Sequence, residues 1–264
     1  MLHALRFMFY SNLEHFKGMA GYELDGVWYP RVTKIVEIKA KPALYKFYAE
    51  MNNFSEGEAV KRQSASEGTL IHETVEQILL GESPAIDPVI QPAIEAFLEF
   101  LETKNIQVDK DCIEKKVINF DERYAGTMDA LALIDGKLGI LDIKTSQSIY
   151  RDYNLQTSAY MAALQSDVKN LQTRWILRID QAKKCSNCGA ALREKGGREK
   201  IRLPWINGSQ SEKSKNCDHA WSKTQGDIEL KEFPYWQTDY HAFLGAKKLW
   251  EWENEYWLKQ LGYI

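Results

Sequence analysis

Between residues 126 and 146 the chain reads GTMDALALIDGKLGILDIKTS, two aliphatic runs separated by Asp135-Gly136. That dipeptide tolerates the left-handed backbone of a tight turn whose twist suits antiparallel strands, so the spacing predicts a β-hairpin. With a two-residue loop Ile134 pairs with Lys137, and counting outward sets Asp129 opposite Asp142. Side chains alternate along a strand, so Lys144 shares a face with Asp142, and Leu131, Leu133, Leu138 and Ile140 continue that face.

Helical spacing governs most of the remaining chain. Residues 57–80 carry Ile71, Val75, Ile78 and Leu79 on one stripe, with Gly81 as a stop, and residues 88–104 repeat the pattern with Ile90, Ile94, Phe97, Leu98 and Leu101. Residues 30–49 read as an extended entry and then a helix, in which Leu44, Phe47 and Tyr48 are expected to pack in the core. The alternative for this stretch is a nucleic-acid path lined by Arg31, Lys34, Lys39, Lys41 and Lys46. Strands are predicted at 113–120, 172–179 and 227–233, and helices at 152–164 and from about Thr238 nearly to the end. Tyr240, Phe243, Trp250, Trp257 and Leu261 form the apolar face of that last helix. In residues 1–27 only a turn near Gly18 and Gly21 is readable. Strands interleaved with helices predict an α/β fold with a mixed β-sheet flanked by helices.

Composition adds a division of charge. The chain has 264 residues, a net charge of −3 and 44% hydrophobic content, enough for a substantial core. Residues 181–224 hold ten Lys or Arg against four Asp or Glu, a surplus of six, which leaves the remainder at −9. Three of the four cysteines lie in this same segment, a distribution unlike a disulfide framework. With no apolar run near the length of a membrane span, a non-membrane, cytoplasmic protein is expected.

Directly opposed residues on one sheet face have Cβ atoms roughly 4.5 to 5.5 Å apart. Two ionised carboxylates at Asp129 and Asp142 would repel there unless a cation lay between them, and a divalent metal answers that need. The plainer alternative is an ion pair of one carboxylate with Lys144, the other being solvated. His72 lies one turn after Gly68, whose missing side chain leaves room for the hairpin or a substrate backbone to approach the imidazole. His72-Glu73 is not a zincin motif, because Glu76 stands where a second histidine is needed.

In the 181–224 segment, Cys185 and Cys188 are three positions apart with Gly189 following, and Cys217 and His219 supply a second pair. This Cys3His set suits structural Zn²⁺, so the segment is expected to be an inserted zinc-ribbon-like module. An iron-sulfur cluster is the rival, but it calls for four thiolates, and Cys112, far away in sequence, is expected to be a buried thiol. The basic surplus suggests a lobe that grips DNA and is removable without disturbing the hairpin. Trp205 and Trp221 either stack on bases or pack that lobe.

Asp129, followed after a short hairpin by Asp142-Ile143-Lys144, resembles the PD-(D/E)xK nuclease superfamily. Gly126 to Asp129, Leu141 to Ser146, the LQTSAY stretch and His72 in GTLIHETVEQIL are similar to its RecB-like branch. The YPRVTKIVEIKAKPALYKFYAE stretch further resembles the mitochondrial genome maintenance exonuclease group and its phage relatives. The likeness spans about residues 28–180 and resumes after 225; Met128 stands where the superfamily name has proline, and 181–224 has no counterpart. It implies a restriction-endonuclease-like core formed by 1–180 and 225–264, with a helical N-terminal region. By the same likeness Asp129, Asp142, the Ile143 carbonyl and His72 would bind Mg²⁺ or Mn²⁺. Lys144 would act in catalysis, Glu114 would stand in the active site, and Gln156 and Tyr160 would brace the strand and contact substrate. The implied activity is an exonuclease acting on single-stranded DNA ends, the alternatives being a selective endonuclease and a non-catalytic DNA-binding adaptor.

Overall fold

The computed structural model describes residues 10–206, 209–210 and 212–264, and side chains outside residues 205–213. Asn12 opens α1 (Leu13–Ala20), its side-chain oxygen accepting the His15 N–H at 2.8 Å. Then follow β1 (Gly21–Leu24), β2 (Val27–Pro30), α2 (Val32–Val36), α3 (Pro42–Ala49), α4 (Phe54–Leu79) and α5 (Gln91–Thr103). The middle of the chain holds β3 (Ile106–Val108), a 3-10 turn at Lys110–Cys112, β4 (Lys115–Asn119), β5 (Tyr124–Met128), β6 (Ala130–Ile134), β7 (Lys137–Lys144), α6 (Asp152–Leu164) and β8 (Thr173–Lys184). The last third holds β9 (Ala191–Lys195), β10 (Arg198–Arg202), β11 (Trp205–Ile206), β12 (Ser209–Gln210), α7 (Glu212–Lys215), β13 (Gln225–Glu232), α8 (Gln237–Glu253) and α9 (Glu255–Gln260).

The hairpin takes the predicted register, Ile134 facing Lys137 and Ala130 facing Leu141. Asp135 (φ 50°) and Gly136 (φ 81°) both adopt the left-handed backbone that a two-residue turn of this hand requires. β3 lies antiparallel on β6, β7 runs parallel to β8 through the α6 crossover, and β13 lies antiparallel on β8. The result is a mixed sheet with helices on both faces. Ala130, Ala132, Ile134, Leu141 and Ile143 pack toward α4 and α5, with Ile71, Val75, Ile94 and Phe97. Leu131 and Ile140 point the other way, into a second core with Tyr160, Phe243 and Trp250. Among the described residues no helix is long and apolar enough to cross a membrane.

Several expectations change. Gly18 lies inside α1 rather than in a turn. No residue of α3 is fully buried, so Leu44, Phe47 and Tyr48 do not pack in the core; the helix lies across the start of α4 with Tyr48 stacked on Phe54. The strand expected at 113–120 is β4, which pairs with β5 outside the main sheet. The terminal helix breaks at Asn254 into α8 and α9. β8 runs on to Lys184 because its polar second half is matched across strands, Arg178 by Asp227 at 2.9 Å and Asp180 by Arg193 at 2.7 Å. β9 then pairs with Lys183 and Lys184, so 181–224 extends the sheet rather than hanging from it.

A candidate active-site cleft and a Cys3His cluster

The bend between β5 and β6 carries Asp129, and β7 carries Asp142, Ile143 and Lys144. Asp129 Oδ2 accepts the Ile143 N–H at 2.6 Å, which joins the two strands where the ladder ends. α4 crosses this end of the sheet because Gly68 lets it approach; a Cβ there would lie 2.6 Å from Thr145 Oγ1. His72 Nε2 is thereby set 3.2 Å from Asp129 Oδ2, and its Nδ1 faces Glu114 Oε1 at 3.7 Å. Glu114 is held by its own N–H, which donates to the Asp129 carbonyl at 2.9 Å. From α6, Gln156 Nε2 donates to Tyr160 OH at 3.1 Å, and both line the same cleft.

The cleft has a volume of about 590 Å³, with His72, Glu114, Asp129, Ile143, Lys144, Gln156 and Tyr160 in its wall. Asp142 lies behind this lining at 1% exposure. Lys144 Nζ pairs with Asp142 Oδ2 at 2.6 Å, while the buried Oδ1 has no hydrogen-bond partner. Burial pushes the Asp142 carboxyl up to about 6 against the pull of Lys144. At Asp129 burial acts the same way, but the His72 hydrogen bond and the Lys144 charge outweigh it and leave that carboxyl lowered. Burial draws His72 down, and Asp129 more than reverses it. Glu114 is raised by burial and then by Asp129. Two neighbouring buried carboxylates, one with an oxygen that has no hydrogen-bond partner, form a donor set that a divalent cation could use.

Sequence reasoning passed over Glu76. It stands one turn after His72, and the ligand atoms of His72, Glu76 and Glu114 lie within 4.8 Å of one another. The i, i+4 spacing from His72 was the available signal. Tyr22, from the unread N-terminal stretch, also lines the cleft, its hydroxyl 3.2 Å from Thr127 Oγ1. The cations considered for a nucleic-acid path are partly engaged within the fold: Arg31 donates to the Gly21 and Gly18 carbonyls, and Lys34 and Lys39 pair with Glu37 and Asp152.

The segment after β8 gathers Cys185, Cys188, Cys217 and His219, with ligand atoms within 4.8 Å of one another. The Cys185 and Cys217 sulfurs are 3.9 Å apart, and Cys188 Sγ lies 3.4 Å from His219 Nδ1. A tetrahedral ion with Zn–S of about 2.3 Å and Zn–N of about 2.0 Å would require edges of roughly 3.8 and 3.5 Å, so the four groups fit one. Cys112 is buried elsewhere, as expected. Trp221 packs on the His219 ring at 4.6 Å, whereas the Trp205 side chain falls outside the described residues. No protein-family model matches the chain, and no curated protein matches it either.

Proposed function

We propose that the chain is a Mg²⁺- or Mn²⁺-dependent deoxyribonuclease with a restriction-endonuclease-like core, acting as an exonuclease on single-stranded DNA ends. The observation that carries this reading is a buried Asp142 paired with Lys144 on Oδ2 and unpartnered on Oδ1, next to Asp129, which His72 faces at 3.2 Å. The preference for single-stranded ends follows the resemblance of the motifs. Asp129, Asp142, the Ile143 carbonyl and His72 would hold the ion. When bound, such an ion polarises a phosphoryl oxygen and acidifies a water ligand. Lys144, carried on the same strand face, stabilises charge that develops on the phosphate or orients the attacking water. To act as a ligand His72 gives up its proton, which Asp129 otherwise favours. Gln156 and Tyr160 brace the floor of the cleft and offer polar groups to a substrate backbone. The Cys3His cluster would hold a structural Zn²⁺ and supply folding energy to a lobe with few apolar residues.

The test is a time course on end-labelled single- and double-stranded DNA with Mg²⁺ or Mn²⁺, with circular single-stranded DNA as the substrate a strict exonuclease cannot enter. Asp142→Asn is expected to keep the fold and lose at least about a hundredfold in cleavage, since removing the charge removes a ligand. A fully active variant would overturn the assignment.

A further inference from the structure

β7 leaves the sheet immediately after its functional residues, and the chain that follows is gripped from a part of the molecule distant in sequence. The Thr145 carbonyl accepts Lys195 Nζ at 2.6 Å and Arg193 Nη2 at 3.1 Å. Both cations come from β9, two residues apart and therefore on one face of that strand. Arg193 is itself fixed, its Nε lying 2.9 and 2.7 Å from the two oxygens of Asp180 on β8. The next residue, Gly196, donates its N–H to Glu67 Oε1 at 3.0 Å, and Glu67 precedes Gly68, where α4 comes close to Thr145. The root of β9 is tied to the Cys3His cluster through the Cys185 N–H, which donates to the Ala190 carbonyl at 2.8 Å.

Satisfying one loop carbonyl takes one neutral donor. Two cationic donors on one main-chain oxygen, one of them anchored by a carboxylate, give charge-assisted bonds and restrict where the carbonyl can lie. The restricted atom is one residue beyond Lys144 and two beyond Ile143. We infer that Arg193 and Lys195 are positioning residues of the cleft, holding the end of β7 so that Asp142, Ile143 and Lys144 keep the geometry a cation requires. This rests on the nuclease reading above, in which those three residues serve metal binding and catalysis. It also gives the 181–224 segment a role in the site independent of any contact with nucleic acid.

The experiment compares the full zinc-loaded chain with Arg193→Ala/Lys195→Met, measuring Mn²⁺ affinity by titration against free-Mn²⁺ resonance and kcat and KM on end-labelled single-stranded DNA. Loss of supporting contacts around a metal site typically weakens it about tenfold or more, so Mn²⁺ affinity and kcat should each fall about tenfold with KM unchanged. Arg193→Lys combined with native Lys195 restores a cationic donor and should recover most of both. If the double variant does not fold, Lys195→Gln alone, which leaves the Arg193 pair with Asp180, should weaken Mn²⁺ binding by about threefold, a fraction of that same loss. Unchanged Mn²⁺ affinity and kcat in a folded variant would overturn the inference, as would a wild-type chain whose Asp142-dependent Mn²⁺ site is missing. If wild type binds Mn²⁺ there but cleaves no DNA, the nuclease reading fails and the Mn²⁺ affinities alone judge the positioning role.

Discussion

Asp142 is buried with Lys144 on Oδ2 and no hydrogen-bond partner on Oδ1, so a proton and a divalent cation compete for it. Its carboxyl is raised to about 6 by burial, and His72 is raised above its ordinary value because Asp129 outweighs the effect of burial. The sign follows: lowering the pH first protonates His72 and then, below about 6, Asp142 as well. Each proton displaced weakens binding about tenfold per pH unit, so Mn²⁺ affinity should fall about tenfold per unit at first and about a hundredfold per unit below the Asp142 value. Mn²⁺ titrations between pH 5 and 8 would check this, and a single slope through that range would deny Asp142 a ligand role. The register that sets Ala130 opposite Leu141, next to Asp129 and Asp142, was legible from the turn at Asp135-Gly136. The grip of Arg193 and Lys195 on Thr145 was not, because it depends on where β9 meets the sheet, some 50 residues away.

The elements that could be read from sequence are those whose signals are local. The β6–β7 turn and α6 follow from residues within their own span, and α6 runs over the predicted 152–164. The second half of β8 was illegible because its charged residues are matched only by partners on β9 and β13. For α3 an apolar helical stripe predicts burial, yet Tyr48 only stacks on Phe54 at the start of α4 and Phe47 lies under the Arg198 guanidinium, so no residue of the helix is fully buried. β5 adds a different constraint, since Gly126 is where α6 approaches the hairpin: a Cβ there would lie 2.4 Å from Tyr160 Cε1. Tyr160 is fully buried and tied to Gln156, so its ring has little room to withdraw. Gly126→Ala is therefore expected to destabilise the protein by about 1–3 kcal/mol, the usual cost of overpacking a filled core. Urea unfolding measures it, and a variant as stable as the parent would mean that the ring repacks freely.

Across the whole molecule, charge is divided between a basic 181–224 segment and an acidic remainder, and the fold consumes much of the division. Lys183 pairs with Glu194, Arg193 with Asp180 and Arg198 with Glu50, while Lys195 and Arg202 donate to main-chain carbonyls near the end of β7. Two of these cations reach across the boundary to the Thr145 carbonyl just beyond β7, so the segment is bonded to the chain that follows the hairpin. Lys184, Lys200 and Lys223 remain exposed. If the segment also grips DNA, these three are the cations best placed to meet phosphates without breaking a bond the fold uses. Each phosphate contact releases counterions and adds roughly 0.7 to the log-log salt slope for a single strand, so replacing all three with Gln should flatten the slope by about 2. Because none of the three touches Thr145, Mn²⁺ affinity should stay at the wild-type level, which separates gripping from positioning. Binding isotherms on labelled single-stranded DNA at several salt concentrations measure the slope. A slope unchanged by the triple substitution would leave the segment with a structural connection to the cleft and no part in holding nucleic acid.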